Sequence, residues 1–305
     1  SNQCEIRRVR IEGEKKPLFY GGRCEKFEVE ERKGKGKDIP NWFDKRLELL
    51  NGDYIPEKQT GEISIGIPRA LMVYYQQFPF WRTYFKELGF KVFLSDPSDH
   101  HMIKRSHELL IAETCFPVEI IHGHYLNLID KGVDFIFTPF IVNAKIEEHN
   151  PTNNCNCPWV QSYPFMIKSA LKDQKLIEKL LIPTLHFRYF GRVLNKQMGQ
   201  FMKEKFNIPK SRSDKAIKKA DAAQTAFEYA VQETGRQVLN DLPKDKETVV
   251  VLGRPYNTGD PILNLGLTEK LIGQNVMPIP IDFLPLHEEN VFKDYNMMYW
   301  PNGQK

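Results

Sequence analysis

The residues in this 305-residue chain whose types and spacing could do chemistry are its five cysteines: Cys4, Cys24, Cys115, Cys155 and Cys157. An odd count spread over a long chain differs from the dense, paired pattern of a small secreted disulfide scaffold. In a reducing compartment such thiols are buried, hold a metal or act as nucleophiles. Cys115 and Cys157 share a context. Each is expected to follow a strand and to precede a helix, with Pro117 and Pro158 in the first helical turn. In an open α/β sheet this is the carboxyl edge, where ligands bind. A helix N-terminus offers unpaired N–H groups and a partial positive charge, which lower a thiolate's pKa and stabilise an anionic cluster. Spacing alone leaves a second reading open, in which both are small buried hydrophobic residues.

Cys155 forms a C-x-C with Cys157. Neighbours that close seldom both reach one metal, so Cys157 is the expected ligand and Cys155 is secondary. Cys4 and Cys24 lie equally far from the turn Gly13-Glu14-Lys15-Lys16. A hairpin over residues 4–24 would oppose them, within reach of one metal or one disulfide. Two thiolates alone do not fill a tetrahedral site, so such a metal would need further ligands. His122-Gly123-His124 reads as a metal pair or as a helix-face residue with a packed neighbour, and His100-His101 falls in a polar loop. Glu113 and Glu119 flank Cys115, and Arg254 at a strand end offers a phosphate contact or an ion pair. The Gly253 turn fits neither G-x-G-x-x-G nor the P-loop pattern, and no H-E-x-x-H or G-x-S-x-G stretch is present. Nucleotide binding and triad hydrolysis are therefore not supported.

The elements that must position these groups alternate. Ile63–Ile67 reads as a strand, and Arg69–Leu88 follows with apolar residues at helical spacing, kinked at Pro79 and stopped at Gly89. Lys91–Leu94 is the next strand, a helix runs from about Asp99, and a short apolar run, Leu109–Ala112, leads to Cys115. Phe116–Asp130 reads as a helix and Val133–Val142 as a central strand buried on both faces. A polar loop then reaches Cys157 and a helix through Leu171, and Leu180–Phe187 is a further strand. Residues 191–240 are helical and charged. Thr248–Leu252, a helix over Pro261–Ile272 and Val276–Ile281 form one βαβ unit. The expected fold is α/β, with Rossmann-like doubly wound parallel sheets in two domains, the second truncated, preceded by a cysteine-containing β-hairpin. The expected divisions are a hairpin module and linker at 1–60 around a short helix (Trp42–Leu50), a first α/β domain at 61–190, a helical connector at 191–242 and a second α/β domain at 243–305.

The formal net charge of +4 is small for this length, and the run Lys33–Lys37 reads as a solvated linker, so no nucleic-acid partner is expected. No stretch approaches a membrane span and no apolar signal core opens the chain, which points to a cytoplasmic protein. A start at Ser1-Asn2 without Met and an end at Pro301–Lys305 read as a piece of something longer.

Four segments together carry a resemblance: IGIPRALMVYYQQFPFWRTYFKELGFKVFLSDPS, AETCFPVEIIHGHYLNLIDKGVDFIFTPFIVN, CPWVQSYPFMI and GRPYNTGDPILNLGLTEKLIGQNVMPIPIDFLP. Over most of residues 62–300 the chain resembles a conserved domain of unknown function in the acyl-CoA dehydratase activase-related proteins. That domain is similar in turn to the cluster-binding subunits of 2-hydroxyacyl-CoA dehydratases and to double-cubane cluster proteins. The stretch QCEIRRVRIEGEKKPLFYGGRCEKF resembles the cysteine-rich module ahead of this domain, without the further cysteines that usually stand upstream of Cys4. The resemblance implies that Cys115, in E-T-C-F-P, and Cys157, in C-P-W-V-Q, ligate an iron–sulfur cluster, 4Fe–4S or double-cubane. It places a third cysteine beyond NMMYWPNGQK, and the activase ATPase in a part of the parent protein outside this chain. The implied partners are that ATPase domain and a dehydratase or small substrate receiving electrons. Two other classes stay open: a non-catalytic docking scaffold for a dehydratase, and a structural zinc module at Cys4 and Cys24.

Overall fold

The computed structural model describes residues 7–10, 17–20, 38–145 and 154–285. At the N-terminus β1 (Arg7–Val9) pairs antiparallel with β2 (Leu18–Tyr20), Arg8 opposite Phe19. The expected turn at Gly13–Lys16, Lys33–Lys37 and both Cys4 and Cys24 lie outside the described residues. The short helix expected after them forms as α1 (Trp42–Asn51), capped by Asn41, whose side chain accepts from the Phe43 N–H at 3.1 Å.

β3 (Ser64–Ile67) begins the main sheet. The apolar run after it makes two helices, α2 (Leu71–Tyr75) and α3 (Phe78–Glu87). Pro79 was expected to kink one helix; it sits instead in the first turn of the second, where its missing N–H costs nothing. β4 (Lys91–Leu94) follows, then α4 (His100–Leu109), whose cap Asp99 accepts from the Met102 N–H at 2.6 Å. His100 and His101 are thus the first residues of a helix, not loop residues. The run Leu109–Ala112 forms no strand, and Ile111 is exposed. The stretch from Phe116 breaks at Ile120 into α5 (Phe116–Glu119) and α6 (Ile121–Asp130).

β5 (Phe135–Phe137) and β6 (Phe140–Asn143) divide the expected central strand at Pro139. After α7 (Pro158–Ala170) and α8 (Gln174–Glu178), β7 (Leu180–Leu181) and β8 (Thr184–His186) divide the next one at Pro183. Neither proline can donate to a ladder. Hydrogen bonds from Thr138 N to Leu181 O (2.8 Å) and from Phe140 N to Pro183 O (2.9 Å) carry the pairing across the gap. The main sheet is parallel in the order β4-β3-β5-β7, with β6-β8 extending its last pair. Consecutive strands β3 and β4 lie side by side while β5 joins the other edge of β3, the order reversal that opens a crevice at the carboxyl ends.

α9 (Val193–Phe206) leads to the 31-residue α10 (Lys210–Asn240), which packs along α3. Tyr84 on α3 and Ser213 on α10 share a buried 2.8 Å hydrogen bond. β9 (Glu247–Val251), α11 (Pro255–Thr258), α12 (Leu267–Gly273) and β10 (Val276–Pro280) form the second βαβ unit, with β9 and β10 parallel as expected. Its helix is shorter than expected, because residues 261–266 are turns and Leu265 and Gly266 take positive φ. Trp81 anchors the core, its ring 4.5 Å from that of Phe137, and the apolar core continues without interruption from Leu50 to Phe283. Gly235 on α10 lets the turn at Phe283 approach; a Cβ there would stand 2.1 Å from the Phe283 carbonyl oxygen. No helix among the described residues is long and apolar enough to cross a membrane.

Candidate functional site

Cys115 and Cys157 cap two helices that touch each other, α5 and α7. Both have extended backbone (ψ 144° and 135°), and their carbonyls accept the first helical hydrogen bonds: Val118 N to Cys115 O at 2.8 Å, Gln161 N to Cys157 O at 2.9 Å. Pro117 and Pro158 occupy the first turns as the sequence predicts. Neither cysteine directly follows a strand of the sheet. Cys115 is reached by the loop after α4, and residues 154–156 directly before Cys157 hold no strand of the sheet. The two sulfurs are near enough to feel each other's charge. Cys115 is exposed and Cys157 half-buried.

A third group joins them. Arg254, which the chain places just beyond β9 as the cap residue of α11, hydrogen-bonds the Cys157 sulfur and donates to the Tyr256 hydroxyl at 2.6 Å. The environment splits the two thiols. Partial burial, with the neighbouring Cys157 charge, raises the Cys115 pKa above the ordinary thiol value. Burial acts on Cys157 in the same sense, but the Arg254 hydrogen bond and the N–H groups of Trp159 and Val160 outweigh it, and its pKa is lowered. Burial raises that of Tyr256, against the pull of Arg254.

Cys155 is exposed and bridges Asn143 in an isolated antiparallel pair, apart from the interactions that tie Cys157 to Arg254. Glu113 is exposed, whereas Glu119 accepts the Thr114 N–H at 2.7 Å and so shapes the turn before Cys115. Both histidines of the H-G-H stretch are buried in α6. Gly123 between them permits that burial: a Cβ would lie 2.4 Å from the Met102 carbonyl oxygen of α4. His122 Nδ1 meets the Glu119 carbonyl at 3.0 Å and its Nε2 has no partner among the described residues; burial lowers its pKa. His124 is held at both nitrogens, Nδ1 by Ser95 Oγ at 2.8 Å and Nε2 by Ser98 Oγ at 3.2 Å, and burial drives its pKa down to about 3.

Sequence reasoning paired the two thiols but left Arg254 as a phosphate or ion-pair candidate and did not single out Tyr256. A signal was present: Arg254-Pro255 repeats the pattern of Cys157-Pro158, a side chain at the cap and a proline in the first turn. Three helix starts of this kind converge. The donor set suits a thiolate-bound group, since it offers two sulfurs, helix N–H groups and one guanidinium. Among the described residues no group of three or more His, Cys, Asp and Glu side chains is arranged to hold a metal ion, so the pair fits part of a ligand set and not a whole one. A family model described as the CoA enzyme activase uncharacterised domain matches residues 64–284. No curated protein and no solved structure matches the chain.

Proposed function

The chain belongs to the family of the CoA enzyme activase uncharacterised domain, and from that premise we propose that it is a redox component of an activase system, with Cys115 and Cys157 as two ligands of an iron–sulfur cluster. The convergence of the two thiols with Arg254 supports this reading best. A bound cluster would supply one-electron chemistry at a potential set by hydrogen bonds to its sulfurs, charge and exposure. The chain's own residues then have distinct tasks. The N-termini of α5 and α7 direct N–H groups toward the two sulfurs, as the Val118, Trp159 and Val160 interactions do. Arg254 offsets thiolate charge at Cys157, and the buried Tyr256 holds Arg254 from the other side. The remaining ligands come from outside this pair, and Cys155 serves at most in a secondary role.

In the same reading, electrons arrive from an ATP-hydrolysing activase domain and pass to a dehydratase or small substrate, in the cytoplasm. In that reading the chain divides into an N-terminal module at 1–60, a cluster-holding α/β domain at 61–190, a connector at 191–242 and a second α/β domain at 243–305. Exposed Ile111, Trp159 and Leu252, each within a few residues of Cys115, Cys157 or Arg254, favour a docking role as the second reading. Anaerobic reconstitution followed by iron and sulfide analysis separates the two. The redox reading expects bound iron that falls sharply in Cys115→Ala and Cys157→Ala. Unchanged iron in both variants would refute the assignment, and dehydratase binding by an iron-free chain would favour docking.

A further inference from the structure

We infer that Asp260 is a positioning residue that, through Ser98 and Tyr75, holds Arg254 against Cys157. Asp260 belongs to the second βαβ unit and is 1 % exposed. Its Oδ1 accepts the N–H groups of Ile262 and Leu263 at 2.9 and 3.1 Å, closing its own turn. Its Oδ2 reaches across to the first unit, accepting from the Ser98 hydroxyl at 2.5 Å and from the Tyr75 hydroxyl at 2.9 Å.

The turn so anchored is the one that carries Arg254. Asn257 and Thr258 both donate to the Arg254 carbonyl, at 2.8 and 3.1 Å, and Gly259 donates to the Pro255 carbonyl at 2.9 Å. Gly259 lies on the Tyr75 ring; a Cβ there would come within 3.3 Å of the ring and 2.8 Å of the Pro255 oxygen. From Arg254 to Asp260 there is little slack. Fixing Asp260 fixes where the guanidinium begins.

The anchor has a direction. A carboxylate only accepts, so the Ser98 proton is committed to Asp260 and its oxygen must accept from His124 Nε2–H. His124 Nδ1 is then an acceptor, and the Ser95 hydroxyl, already accepting the Arg69 backbone N–H at 2.8 Å, donates to it. The chain Ser95, His124, Ser98, Asp260 therefore runs one way and sets the Nε2–H tautomer of a neutral imidazole. Asn at position 260 would present donors to Ser98 and Tyr75 and break that order.

The test uses the metal-free chain and needs no cluster. Competitive alkylation with iodoacetamide, read peptide by peptide, follows Cys157 against Cys115. Arg254→Gln should slow Cys157 about three- to tenfold, the effect of a charge-assisted hydrogen bond at a half-exposed sulfur. Asp260→Asn should slow it similarly, and the double variant no more than Arg254→Gln alone, because coupled residues do not add. Nitrogen-15 spectra should show His124 as the neutral Nε2–H tautomer in the wild type and altered in Asp260→Asn. Should Asp260→Asn fail to fold, Ser98→Ala and Tyr75→Phe carry the same comparison with smaller effects. Multiplicative slowing in the double variant, wild-type reactivity in Asp260→Asn, or an Nδ1–H tautomer in the wild type would overturn the inference. The outcome is separate from the cluster proposal, which stands or falls on iron content.

Discussion

The main sheet and the β9–β10 pair use the same βαβ arrangement, yet they are stabilised differently. Strands β3, β5 and β7 are almost wholly buried, and Trp81 and Phe85 of α3 pack with Phe137 of β5, ring centroids 4.5 to 6.4 Å apart. β10 is buried in the same way, but β9 has no fully buried residue, and Val250 near its end and Leu252 just past it are 37 % and 75 % exposed. Tyr256, Ile279 of β10 and Phe283 join the second unit to the common apolar core, and polar contacts add to them: Asp260 to Ser98 and Tyr75, and Asp282 to the buried Arg46 at 2.5 Å. The difference matters at the candidate site. The thiols come from the aromatic-packed unit, whereas the guanidinium facing them follows the half-exposed β9, on a turn fixed by the hydrogen bonds of Asp260.

Perturbing the aromatic core should produce the largest effect. Trp81→Ala empties a fully buried site and should cost about 3–5 kcal/mol in chemical denaturation. Gly123→Ala forces a methyl group against the Met102 carbonyl of α4 and should cost about 1–3 kcal/mol; a thermal-stability scan of the variant checks it. Acid should then act on the junction. His124 stays neutral in the fold with a pKa of about 3 but titrates near 6.5 when unfolded. The unfolded chain therefore binds the extra proton, and stability is lost as pH falls from 6.5 toward 3, by about 2 kcal/mol between pH 7 and pH 5. Urea titrations at the two pH values, with His124→Gln as the variant lacking this slope, measure it. Leu252→Lys, just past β9, should change stability by no more than about 0.5 kcal/mol; a cost near that of Trp81→Ala would erase the contrast between β9 and the strands of the main sheet.

The alternating pattern of the sequence located every strand of the main sheet, because period and β-branched content report burial directly. It placed Cys115 and Cys157 at helix starts through Pro117 and Pro158, whose fixed φ suits a first turn. It misplaced features that depend on backbone choice rather than pattern. Pro79 began a helix instead of bending one, Pro139 and Pro183 interrupted a ladder inside apolar runs, and Leu110–Ala112 stayed irregular although apolar. Arg254 was visible as a residue but its partner was not, since the contact joins segments almost a hundred positions apart and no local period records it. Asp260 was silent for the same reason. A buried carboxylate is identified by what donates to it, and Ser98 and Tyr75 are distant in sequence.

We propose that the Cys115 and Cys157 sulfurs bind one cluster together. Iron K-edge absorption on the anaerobically reconstituted chain and on the Cys115→Ala/Cys157→Ala double variant tests it directly. Sulfur scatterers around iron are expected in the wild type, lost in the double variant while its circular dichroism stays native. Iron surrounded only by nitrogen and oxygen, or a sulfur shell that persists without both cysteines, would contradict it.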